Sequence, residues 1–138
     1  MNWSRFFLAV VASGIVASFT DWFFMGMLFH DRYLDNPEIW RGEPGKPEGS
    51  RIMKSALLGT LASAAFLIIL RHLSTPNILS PVAQVVHLAV IATLLGPVPI
   101  LFQNVVWMKF HPLLGVSHTL GWLTRFIATG FIGIWLLK

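Results

Sequence analysis

Four apolar runs, each close to bilayer length, leave this chain few ways to fold. They cover about Phe6 to Phe29, Ser55 to Leu70, Val82 to Trp107 and Leu113 to Leu137. A spanning helix needs about 20 apolar residues. The second run falls short of that and reaches it by extending back through Ile52, with Lys54 snorkelling to the headgroups. Lipid cannot satisfy free backbone amides and carbonyls, so open strands are excluded and the runs are read as helices. The fold expected is all-α: one integral membrane bundle over residues 1–138, with four transmembrane helices and one long polar loop between the first and second.

The composition agrees. Of 138 residues, 55% are hydrophobic and 12% charged, where a soluble domain carries roughly 25% charged residues. The mean hydropathy is +0.69. There is no cysteine, which excludes disulfides, thiolate catalysis and cysteine-held metals or clusters. The net charge of +4 comes mainly from basic residues flanking the apolar runs, where they anchor at headgroups. No clustered basic face suits nucleic acid, so the partners expected are the lipid bilayer and either further copies of the chain or another membrane protein.

The connections differ in length. His30 to Lys54 holds three prolines and three glycines and reads as mostly irregular. Its early part, Tyr33-Leu34 through Ile39-Trp40, reads as a short amphipathic piece lying in the interface. Arg71 to Pro81 and Lys109 to Pro112 are tight, which makes successive helices antiparallel neighbours. The first run passes the small residues Val16-Ala17-Ser18 and continues to Phe29. A cleaved signal peptide has no need of that extra length. On the side of the first and third loops stand Arg32, Arg41, Lys46, Arg51, Lys54 and Lys109; on the other stand Arg5, Arg71 and Lys138. This bias places the long loop in the cytoplasm. Trp3, Trp40, Trp107 and Trp135 fall at the expected borders, as interfacial aromatics do.

Two formal charges interrupt the apolar runs: Asp21 in the first and Arg125 in the last. Charges at such depth face a partner, a cavity or a pathway. Both stand in rows of small residues spaced by four, Ala9, Ser13, Ala17 and Asp21 in one, and Ser117, Gly121, Arg125, Thr129 and Gly133 in the other. Ser55, Gly59 and Ser63 make a third such row. Small residues at this spacing let helix backbones approach closely, so both charges are expected on buried faces. Their depths from the long-loop side, about 12 and 18 Å at 1.5 Å per residue, allow a direct or water-bridged pair. Gln103, Asn104 and His118 lie in the same half of the membrane, with His30, Asp31 and His111 at its mouth. These positions suggest a polar funnel narrowing to Asp21 and Arg125, walled by the small faces of the first and last helices and roofed by a break at Pro97 and Pro99. The candidate ligand-binding residues are therefore Asp21, Gln103, Asn104, His118 and Arg125. The competing view of the Asp21–Arg125 pair is purely structural, fixing helix register. His87 reads as a packing or border histidine. A metal site from His30, Asp31, His111 and His118 lacks two histidines paired on one helix, so no metal is assigned, and no cofactor is identified.

Asn2-Trp3, Asp21-Trp22-Phe23-Phe24, Leu28-Phe29, Trp40, Asn104, Lys109 and a glycine-bearing last helix ending in Trp135 together resemble a family of small bacterial four-helix membrane proteins whose function is unknown. The resemblance implies the same topology and a bacterial inner membrane, and carries no activity. Asp21 departs from it, standing where the family has a small or apolar residue. Three functions fit the residues: a protein that binds or passes a small solute, ion or lipid, as an oligomer; an accessory subunit packed on a membrane partner; and a membrane enzyme using Asp21 or His118 as acid–base. No catalytic residue is assigned.

Overall fold

A computed structural model of the protein describes residues 2–39, 49–73 and 79–137. These form helices α1 (Trp3–Asp21), α2 (His30–Leu34), α3 (Gly49–Leu73), α4 (Pro81–Leu95), α5 (Pro97–Trp107) and α6 (Pro112–Leu136). A π-helical segment, Trp22–Leu28, continues α1, and a 3-10 turn covers Pro37–Ile39. No strand occurs among the described residues. Four stretches are long and apolar enough to cross a membrane: Trp3–Leu28, Gly49–Leu73, Pro81–Trp107 and Pro112–Leu136.

Local chemistry sets the helix starts. The Asn2 side chain accepts from the Arg5 amide at 3.2 Å. Ser80 accepts from the Ala83 amide at 3.3 Å, and His111 Nδ1 from the Leu113 amide at 3.2 Å. Each cap satisfies an amide with no partner inside its helix. Pro81, Pro97 and Pro112 each stand in the first turn of a helix, where a missing N–H costs nothing. The third span therefore breaks at Gly96. Pro97 cannot donate back to Thr93, and its ring clashes with that carbonyl.

Two local expectations change. α3 does extend back through Ile52, and it goes further, taking in Gly49 to Arg51 as well, so this end of the long loop is not irregular. The run from Arg51 to Ser55 holds no glycine or proline, and nothing in it opposes helix. The interfacial piece is confined to α2 and the 3-10 turn, and Tyr33 turns inward instead of lying at the surface, with 5% of its area exposed. Trp40, Arg41, Lys46 and Lys138 lie outside the described residues, as do the rest of 40–48 and 74–78. Among the border tryptophans, Trp3, Trp107 and Trp135 are exposed.

The most extensive helix interface is that of α1 with α6, followed by α1 with α3 and α4 with α6. The small rows meet there: Ala9, Ser13, Ala17, Gly59, Ser63, Ser117, Gly121, Thr129 and Gly133 are all buried. Ser55, at the outer end of its row, is exposed. Leu67 packs with Phe6 and Ala9, and a Cβ on Gly133 would meet Leu67 at 2.7 Å. A second cluster joins Phe66, Ala89 and Phe126, with Phe66 and Phe126 stacked at 4.9 Å.

Candidate functional site

The two intramembrane charges form one pair. Arg125 donates from a terminal guanidinium nitrogen to Asp21 Oδ2 at 2.5 Å. Arg125 is buried and Asp21 is 26% exposed. The guanidinium is held on two further sides. The Trp122 ring lies 4.3 Å below its carbon, a cation–π distance. Gly59 backs it from α3, where an added Cβ would stand 3.0 to 3.2 Å from the guanidinium atoms. Gly121 lies against Asp21 and Phe24; a Cβ there would stand 3.9 Å from Asp21 Oδ1. Glycine at these steps brings backbone to backbone and leaves the space between helices to the charges.

A second feature opens at the long-loop end. A groove of about 690 Å³ is lined by Met25, Tyr33, Glu38, Ile39, Asn104, Met108, Lys109, Phe110 and His118. Its residues come from the π-helical segment, α2, the 3-10 turn, α5, the tight turn after it and α6. His118 is packed between rings: Tyr33 meets it edge-on at 5.8 Å, and Phe110 stacks on it at 6.2 Å. The Tyr33 hydroxyl donates to Ser117 Oγ at 3.4 Å. Burial pushes the Tyr33 phenol up to about 12, partly offset by the Ser117 hydrogen bond, and the nearby Asp21 carboxylate pushes it the same way as burial. A phenol out of water resists ionising, and a neighbouring negative charge adds to that resistance.

The five candidate ligand residues thus separate. Asp21 and Arg125 bind one another. Asn104 and His118 line the groove. Gln103 is exposed on the outer side of α5. No single funnel gathers all five, because the small faces of α1 and α6 pack on each other instead of walling a cavity. Pro97 and Pro99 lie outside the groove's lining. Among the mouth residues, His30 and Asp31 are exposed and His111 is half-buried. Tyr33 lines the groove and is a residue that sequence reasoning did not single out as part of a site. The one available signal was its uniqueness as the sole tyrosine of the chain, in a stretch otherwise polar enough to lie at the surface.

No protein-family model, curated protein or solved structure matches the chain. The resemblance drawn from its residues rests on those residues alone.

Proposed function

We propose that this is a non-enzymatic membrane protein that binds a small amphiphile, a lipid or lipid-like molecule, in the groove at its long-loop end. The observation that carries the reading is the groove's lining. Met25, Ile39, Met108 and Phe110 offer an apolar wall, and Tyr33, Asn104, His118, Lys109 and Glu38 offer polar groups at the membrane border. Pockets that hold small molecules combine mostly apolar walls with a few placed polar groups. The Lys and Arg bias favours the cytoplasmic side for this mouth. In this reading the Asp21–Arg125 pair fixes the register of α1, α3 and α6 beneath the groove and does not itself touch the ligand.

The test uses a photoactivatable phospholipid in vesicles holding the whole protein. Crosslinks are expected on the groove residues around Met108 and Phe110. Asn104→Leu and His118→Leu are each expected to weaken capture roughly fivefold, the worth of about 1 kcal/mol for one hydrogen bond. Crosslinks spread evenly over the outward faces of the helices would sink the reading.

A subunit role is favoured by one separate observation. Gln103 carries an exposed amide on an otherwise apolar helix surface, beside Phe102 and Val106. A side-chain amide in such a place finds its hydrogen bonds on a second helix. A partner there, another copy or another membrane protein, is detected by single-molecule photobleaching in vesicles. Gln103→Leu is expected to shift the complex toward the monomer; an unchanged distribution counts against a partner at α5.

A further inference from the structure

The two ends of this chain share its charges unevenly. All six acidic residues fall between Asp21 and Glu48, in the half next to the long loop. The opposite end has Arg5, Arg71 and Lys138 and no acidic side chain at all. A negatively charged group arriving there meets attraction from the side chains and no repulsion.

A recess of about 220 Å³ opens at that end. It lies where the end of α3, the start of α4 and the end of α6 come together. Leu67, Leu70 and Gln84 are buried and form its floor, and Ile134 and Leu137 are half-buried walls. Gln84 is committed to the protein, since its side-chain amide donates to the Leu79 carbonyl at 2.7 Å. Arg71 stands exposed at the rim, in the last turn of α3. It makes no salt bridge among the described residues. Leu67 is one helical turn deeper than Arg71, about 6 Å. The apolar floor therefore lies on the hydrocarbon side of the charge.

We propose that this recess binds one anionic phospholipid of the leaflet opposite the long loop. Its phosphate meets Arg71, and the first part of an acyl chain lies against Leu67, Leu70, Ile134 and Leu137. A guanidinium offers a phosphate two parallel N–H donors as well as opposite charge. The headgroup class follows from the missing acids. The amine of a zwitterionic headgroup would find no carboxylate partner at this end, only further cations, so a lipid of net negative charge is preferred. The recess is smaller than the roughly 300–1,000 Å³ of a site that encloses a whole ligand. It takes part of the lipid and leaves the rest in the bilayer. Free phosphate would find one cation above an apolar floor that it cannot use, whereas an acyl chain gains by covering that floor. The site lies at the far end of the bundle from the groove and does not depend on the groove having a ligand.

Native mass spectrometry of the whole protein in detergent measures the lipid it retains. Phosphatidylglycerol is expected to bind about fivefold more tightly than phosphatidylcholine with the same chains, the worth of one cation at a membrane surface. Arg71→Gln is expected to remove that preference and Arg71→Lys to keep part of it. Arg5→Gln takes the same charge from the same end but outside the recess lining, and is expected to keep the preference. Ile134→Trp fills the recess from its wall and is expected to weaken retention of phosphatidylglycerol, with the Tm of the lipid-free protein unchanged. Equal losses in Arg5→Gln and Arg71→Gln would mean diffuse attraction to the whole end and would overturn the site. So would an Arg71→Gln variant that keeps the preference, or an Ile134→Trp variant that binds as the parent does. Millimolar inorganic phosphate is expected to leave the lipid in place. Displacement by phosphate would make the free anion the occupant and overturn the lipid assignment.

Discussion

Removing the Asp21 carboxylate and removing the Arg125 guanidinium leave different charges behind. Arg125 is 4% exposed and Asp21 26%, so Asp21→Asn strands the more deeply buried group. A lone buried charge costs about 3–5 kcal/mol. Asp21→Asn is therefore expected to lower stability in detergent more than Arg125→Gln, and the double variant is expected to be more stable than Asp21→Asn alone. Strictly additive losses would contradict the direct contact. Tyr33 gives a second measurement at this scale, because it is the only tyrosine. Its tyrosinate absorbance is expected to titrate near 12 in the folded protein, against an ordinary value of 10.0. The folded chain then holds a proton that the unfolded chain has lost between these values, so stability falls as pH rises through that window. The stabilisation is complete below pH 10 and its loss by pH 12 amounts to about 2–3 kcal/mol. Tyr33→Phe is expected to abolish this alkaline step; an unchanged alkaline profile would show that the phenol is not buried.

At the scale of the helices, close approach is what the glycines provide. A Cβ on Gly130 would stand 2.5 Å from Val85 Cγ1 and 2.9 Å from Cγ2. These are the branches of a stiff side chain, so α4 and α6 would have to part. Gly130→Ala is expected to cost about 1–3 kcal/mol, as overpacking does, and Val85→Ala in the same chain to restore part of it. Equal stability of Gly130→Ala and the parent in a thermal melt would contradict this packing. The π-helical segment is the other feature of this scale. It begins directly after Asp21 and lies between the ion pair and Tyr33. Such segments are rare and are frequently found at functional sites, and this one contributes Met25 to the groove.

For the whole molecule, four spans require the chain to cross the bilayer an even number of times, with both ends on one side. Single cysteines report this cleanly in a chain that has none. Asn2→Cys, Ser80→Cys and Leu137→Cys are expected to label from one face of sealed vesicles, and Asp31→Cys and Lys109→Cys from the other. Labelling of positions 2 and 137 from opposite faces would refute the arrangement. The groove lies on the Asp31 and Lys109 side, so a ligand captured there enters from that leaflet or the adjoining water.

The spans, the tight turn before Pro112 and the buried faces of α1 and α6 follow from the sequence alone, for a plain reason. Lipid forces apolar runs into helices whatever their neighbours, and small residues spaced by four mark where helices meet. The pairing of Asp21 with Arg125 was also legible, because depth along a helix can be counted. What the tertiary structure alone decided is how the polar residues divide. His118 and Asn104 went to a groove at the border, while Gln103 stayed outside, a difference of one residue along α5 that no count of depth resolves. Tyr33 reached Ser117 only because the chain turns back after the π-helical segment, a path set by packing and not by the polar, surface-like character of its own stretch. Ser13, Ser63 and Thr129 share a layer because α1 runs antiparallel to α3 and α6 in one particular register. That register comes from contacts between helices, which a single helix cannot specify.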